Sequence, residues 1–299
     1  CQVPSELEAS CSGIVSGPGF VDGECCYWRC PGLVACGRPL VVDGAPRVAP
    51  AIQRSDWRMN LEDMDLRSLE LNAELAEAWI EDAKAEHASV GSFARFVLDL
   101  LAFGAPAELV ESASRAMADE IRHARLCFGV ASAYAGKELG PGPIELASIA
   151  PSKSLASAAV AAVVEGCINE TIAALAASAR AESAADAGLR SILAGIAHDE
   201  AEHAELAWRF VQWAIKTGGD PVRGAVAHAL RCNAPTGMDG DRCLAGDEPG
   251  WRESFQEAQR VAWSRVILPC ARGLLEPARR HAGDGVGSAV LVGGLEQPN

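Results

Sequence analysis

The chain has 299 residues and a formal net charge of −14, from 26 Lys and Arg against 40 Asp and Glu. That balance argues against a nucleic-acid partner, whose phosphates demand Lys and Arg. The length supports one main domain with appendages, and no apolar run reaches the roughly 18 residues of a membrane helix.

Residues 1–56 read as a Cys-rich segment. Six of the eleven cysteines crowd its first 36 positions: Cys1, Cys11, Cys25, Cys26, Cys30 and Cys36. Among Gly, Pro and Ser, such crowding points to a disulfide-stapled, loop-rich stretch. Zinc is the weaker alternative, because no Cys-x-x-Cys pair occurs. The segment is expected to be irregular, with one short strand and turn at Val41-Val42-Asp43-Gly44. The chain starts at Cys1 and so resembles a mature bacterial lipoprotein, lipidated on that residue after removal of a signal peptide. The resemblance implies a membrane partner through the N-terminal lipid, held firmly where several acyl chains are attached. Anchor and disulfides together point to the cell envelope, on a periplasmic or outer surface.

Residues 57–217 read as helical. A lead-in with Trp57 precedes a helical run from about Leu66, which continues into a first helix ending near Gly104-Ala105-Pro106. Its apolar seam is Trp79, Ala83, Glu86, Val90, Phe93, Val97 and Leu100. The second helix spans about Pro106 to Tyr134, with the seam Leu109, Ala113, Ala116, Glu120, His123, Cys127, Val130 and Tyr134. Gly136 to Pro143 breaks it, and some 20 residues follow before the third helix. Such a length is unusual inside a compact domain and suits a crossover along a bundle. The third helix starts at about Ser154, with the seam Ala158, Ala161, Glu165, Ile168, Ile172 and Leu175. A break near Ala185 to Gly188 leads to the fourth, with the seam Leu189, Leu193, Ile196, Glu200, His203, Ala207 and Phe210. Alternating 4,3 spacing marks each seam as a buried bundle face.

The chemistry lies in those seams. Asp119-Glu120-x-x-His123-Ala124 recurs as Asp199-Glu200-x-x-His203-Ala204. Glu86 precedes Glu120 by 34 residues, and Glu165 precedes Glu200 by 35. On a helix, residues at i and i+3 project from one face, about 5–6 Å apart, so each Glu-x-x-His pair can grip one ion. Four carboxylates and two imidazoles balance two divalent cations and suit iron or manganese, though zinc accepts the same donors. The expected ligands are Glu86, Glu120, His123, Glu165, Glu200 and His203. A five-residue step turns about 140° on an α-helix, so Glu170 is placed outside the set, as a supporting or surface acid. Asp119 and Asp199 are candidate orienters for the His of the facing helix. His87 and His198 fall one step off the seam and read as surface residues.

With these residues in place, 74–215 resembles the ferritin-like superfamily of diiron-carboxylate proteins, which includes rubrerythrins, bacterioferritins and several diiron hydroxylases. The Glu165-x-x-x-x-Glu170 element is similar to one in diiron tRNA hydroxylases. The resemblance implies an all-α, four-helix bundle with a long crossover between its second and third helices. It also implies two iron ions (manganese or a mixed pair being the alternative) and oxidoreductase chemistry with dioxygen or peroxide. A small organic substrate and an external electron donor would be further partners, since the Cys-x-x-Cys electron-transfer module of rubrerythrins is missing. The alternatives are an iron-handling protein that oxidises Fe²⁺, and a non-catalytic metal-binding or scaffold lipoprotein. Beside the metals, Val90, Ala116, Ala161 and Ala207 suggest a small apolar cavity, unless Phe93 and Phe210 fill it.

Residues 218–299 form a C-terminal extension. Gly218-Gly219-Asp220-Pro221 ends the fourth helix and starts another. Cys232 and Cys243 bracket a Gly-rich loop and are candidates to pair. A final helix spans about Glu253 to Arg280, with a kink at Pro269, followed by a Gly-rich tail.

Overall fold

The computed structural model describes residues 13–21, 24–31, 37–42, 45–57, 59, 66, 69–234 and 257–275. The lipid site at Cys1, the cysteines at 11, 36 and 243, and the Gly-rich tail lie outside the described residues.

The chain is mostly helical. Two antiparallel strands, β1 (Gly13–Val21) and β2 (Glu24–Pro31), form a hairpin where an irregular stretch was expected. The short strands β3 (Val41–Val42) and β4 (Ala45–Pro46) pair antiparallel, and the expected turn at Asp43-Gly44 lies outside the described residues.

Helix α1 (Ala73–Ala102) begins later than the sequence suggests. The Asn72 side chain accepts a hydrogen bond from the Leu75 amide at 3.0 Å and caps the helix there. Gly104, at φ 67°, turns the chain after α1, and α2 (Ala107–Ala135) follows Pro106. Gly136 closes α2 in the left-handed conformation that glycine adopts without steric cost. The crossover contributes β6 (Leu139–Pro141), which pairs with β5 (Ala51–Gln53). Ser154 opens α3 (Leu155–Ser183) with a capping box to Ser157. Asp186 caps α4 (Ala187–Cys232) through the Leu189 amide. Gly219, at φ 66° and ψ −147°, breaks α4 where the Gly-Gly-Asp-Pro sequence dictates. A last helix, α5 (257–275), follows.

Two apolar clusters define how these helices lie. One joins Phe93, Phe96 and Leu100 of α1 to Leu109, Ala113 and Ala116 of α2. Its other members include Ala158 and Val163 of α3, Phe210 and Ala214 of α4, and Ala262 and Ile267 of α5. The other joins Trp79 and Ala83 of α1 to Cys127 and Tyr134 of α2, Ala177 and Ala181 of α3, and Leu193 and Ile196 of α4. The C-terminal half of α1 thus meets the N-terminal half of α2, and the early halves of α2 and α3 share one end. Between the two clusters lies a layer of buried Glu and His.

Helix α3 departs from a regular α-helix. Its middle, Ala162–Glu170, is a nine-residue π-helix. It is also long and apolar enough to cross a membrane, which corrects the reading that no such run exists. The segment is largely buried inside the fold, as a core helix is. At Gly166 a Cβ would stand 2.4 Å from the Cβ of Ala207, so α3 and α4 meet at a distance only glycine permits.

Candidate metal centre

Six side chains converge in the polar layer: Glu86 from α1, Glu120 and His123 from α2, Glu170 from α3, and Glu200 and His203 from α4. All are buried. They form two overlapping groups of potential ligands. Glu86, Glu120, His123 and Glu200 make one; Glu120, Glu170, Glu200 and His203 make the other. Glu120 and Glu200 belong to both, and their oxygens show how. Nδ1 of His123 lies 3.8 Å from Glu120 Oε2 and 3.5 Å from Glu200 Oε1. Nδ1 of His203 lies 3.2 Å from Glu120 Oε1 and 3.5 Å from Glu200 Oε2. Each of these carboxylates therefore turns one oxygen to each imidazole. Glu86 adds an oxygen 3.6 Å from His123 Nδ1.

Except for the 3.2 Å contact, these spacings are too long for good hydrogen bonds, and none of these atoms has a hydrogen-bond partner. Around one ion with bonds of about 2.0–2.2 Å, neighbouring donors stand roughly 3.0–3.4 Å apart, close to what is seen. Glu86 Oε2, both oxygens of Glu120, Glu170 and Glu200, and Nδ1 of both histidines are buried without a hydrogen-bond partner. Buried polar groups are normally satisfied, so this concentration of orphans fits a pair of cations.

On α3 the geometry reverses the expectation. Glu170 stands in the cluster and Glu165 does not. Glu165 is buried in ion pairs instead: its Oε1 accepts from Arg95 Nη2 at 2.6 Å, and its Oε2 lies 3.4 Å from Arg38 Nε. The π-helix explains the exchange. Its i→i+5 bonding makes the five-residue step from Glu165 to Glu170 close to one full turn, not the 140° of an α-helix. The sequence concealed this because α3 is buried on nearly every side from Ala158 to Ala177, so no polar face fixes its phase.

The aspartates lie across from the histidines. His123 Nε2 sits 2.9 Å from Asp199 Oδ2, and His203 Nε2 sits 3.5 Å from Asp119 Oδ2. Each Asp thus faces the His of the other helix and leaves Nδ1 for the cluster. Arg122, which the sequence reading did not single out, spans both: Nη1 donates to Asp119 at 2.7 Å and Nη2 to Asp199 at 2.5 Å. His198 is 74 % exposed on its side chain and pairs with Glu202. His87 packs edge-on against Trp57, with ring centroids 5.0 Å apart. Both lie outside the two groups.

Electrostatics within the layer are divided. Burial, reinforced by neighbouring carboxylates, holds Glu86 and Glu170 well above the usual carboxylate range. Burial also opposes ionisation of Glu120 and Glu200, but the two histidines outweigh it and draw both below their ordinary value. Burial would lower His123 and His203. Asp199 for the first, Asp119 for the second, and the surrounding carboxylates raise both well above 6.5.

The flank expected to hold a cavity is filled. Phe93, Phe96 and Phe210 are buried there, with Phe93 edge-on to His203 at 5.1 Å and Phe96 edge-on to Phe210 at 5.0 Å. The Arg38 guanidinium lies over Phe93 and Phe96. Comparison with protein-family models, curated proteins and solved structures finds no match for this chain.

Proposed function

We propose that this is a ferritin-like four-helix protein whose two-metal carboxylate centre, iron or manganese, activates dioxygen or peroxide. The observation that carries this reading is the pair of shared carboxylates: Glu120 and Glu200 each offer one oxygen to each His. Glu86 and His123 would complete one position, and Glu170 and His203 the other. A pair of redox-active ions held there would supply electrons to a bound oxidant.

The chain's own residues account for the rest. Asp199 accepts the Nε2 proton of His123 at 2.9 Å, which fixes that ring with Nδ1 toward the ions. Asp119 faces Nε2 of His203 at 3.5 Å, too far for a hydrogen bond, and orients that ring by charge alone. Arg122 holds both aspartates in register. Glu86 and Glu170, whose acidity burial weakens, are the carboxyls most disposed to hold a proton that an entering ion would displace. Phe93 and Phe210 keep water from one flank. The same filled flank favours small reactants, and so gives weight to the alternative in which Fe²⁺ itself is the reductant and no organic substrate binds.

Anaerobic loading of the full chain with Fe²⁺, followed by metal analysis and Mössbauer spectroscopy after exposure to dioxygen, tests the proposal. Two ions per chain and a coupled diiron signal are expected. One ion or none would refute it. Turnover with Fe²⁺ alone would select the iron-oxidising alternative.

A further inference from the structure

We propose that residues 37–41 form a stopper over the metal centre, and that Glu165 is the latch that holds it shut. The inference rests on the preceding one for what is covered, but its geometry is independent.

Gly37 is buried, and a Cβ there would lie 3.3 Å from Glu170 Oε2, 3.4 Å from Glu200 Oε1 and 3.5 Å from Ser89 Oγ. The main chain of this segment therefore rests directly on two of the six candidate ligands. A side chain there would be in tight contact with both carboxylates. Arg38 follows, 2 % exposed, with its guanidinium 4.9 Å from the Phe93 ring centroid and 4.3 Å from that of Phe96. Leu40 fills a notch on α1, where a Cβ at Gly91 would be 2.9 Å from Leu40 Cδ2.

Glu165 gathers these contacts. It pairs with Arg38 on the segment. It also accepts from Ser92 Oγ at 3.2 Å and from Arg95 Nη2 at 2.6 Å. Arg95 in turn donates through Nη1 to the Val41 carbonyl at 2.6 Å. One carboxylate of α3 thus fastens the segment at both ends, directly through Arg38 and by way of Arg95.

The insertion is incompletely satisfied. Arg38 Nε and Nη1 have no hydrogen-bond partner in the buried site. A buried guanidinium so held is costly, and the closed position is correspondingly easier to leave. Closed, the segment covers the Glu170–Glu200 side of the centre. Open, it uncovers that side and vacates the space over Phe93 and Phe96, where an apolar organic group would fit. Glu165 is a positioning residue in this scheme and touches no reacting atom.

Two measurements on the full chain decide it. The first is hydrogen–deuterium exchange of the metal-free protein, followed on peptides covering 37–42. A stopper opens locally, so its amides exchange faster than those of α1 and α3 beneath it. Glu165→Gln and Arg95→Ala should speed them by at least about tenfold and leave α4 unchanged. Exchange at the helices' own rate, unmoved by either variant, overturns the stopper. The second is removal of iron from the loaded protein by excess chelator. Glu165→Gln should still bind two ions and lose them at least about tenfold faster, while Lys216→Ala, at an exposed position of α4, matches the parent. Loss of an ion in Glu165→Gln would make Glu165 a ligand and end its role as latch. A parent chain that binds no iron would sink the metal reading alone, and the exchange measurement would still decide whether the segment opens.

Discussion

In the α1–α2 pair, Glu86 stands on an uninterrupted α-helix and meets Glu120 and His123 through the spacing its sequence displays. In the α3–α4 pair, the partner of Glu200 and His203 is the last residue of a π-helix. The two halves share the Asp-Glu-x-x-His-Ala phrase, yet they deliver the remaining carboxylate by different backbones. A repeat in sequence therefore fixes which residue types meet, but not which copy of them. The π-turn also frees Glu165, at the repeat-matched position, to bind two arginines.

The comparison breaks most sharply at α3. Glu170→Ala should lose the ion shared with His203, while Glu165→Ala keeps both; metal analysis of the purified variants reads this directly. The opposite pattern would restore the α-helical register. Glu120→Ala, which removes an oxygen from each position, should empty both.

Metal removal should separate the halves from the bundle's general stability. In the metal-free chain the raised His123 and His203 contribute stability that is fully present below about 6.5 and lost as pH climbs through their folded values. Glu86 and Glu170, also raised, cost stability once pH passes about 4.5. Both effects run the same way, so the melting temperature of metal-free protein should fall from neutral to alkaline pH. The loaded protein should hold or rise over that window, because ions bind the deprotonated ligands. Parallel melting curves would break the linkage.

At the α3–α4 contact, Gly166→Ala should cost about 1–3 kcal/mol in urea unfolding, as overpacking does. A neutral result would mean that the helices part without strain. Asp199→Asn should weaken metal binding by about 10–100-fold, and Asp119→Asn by less, since His203 is the more loosely held. Equal losses by titration calorimetry would erase that asymmetry. Arg122→Ala should matter least. Its side chain is 46 % exposed, and solvent limits such pairs to below about 1 kcal/mol.

Much of this was legible in the sequence, for identifiable reasons. Glu86, Glu120, His123, Glu200 and His203 lie on helices with one polar and one apolar side, so periodicity gave their phase. Asn72, Ser154 and Asp186 are capping residues where helices begin, although Asn72 was passed over in favour of a start near Leu66. Glu170 was misplaced because Ala161, Glu165, Ile168 and Ile172 form an unbroken 4,3,4 series that hides the extra residue of a π-turn. Arg38 left no trace at all. It belongs to a segment without periodicity, and its partners Phe93, Phe96 and Glu165 are distant in sequence.

The divided acidity of the cluster has a consequence for how the protein matures. Burial biases Glu86 and Glu170 toward the neutral acid, while the histidines draw Glu120 and Glu200 toward the carboxylate and the carboxylates draw both imidazoles toward the cation, so the charges of the empty cluster tend to offset one another. Four carboxylates, two neutral imidazoles and two divalent cations sum to zero. On the proposed two-metal reading, filling the centre is an ion exchange in which protons leave as cations enter, with little change in net charge. On that reading the bundle can close around its protons first and trade them later, as a resin does, with little unbalanced charge in its core at either stage.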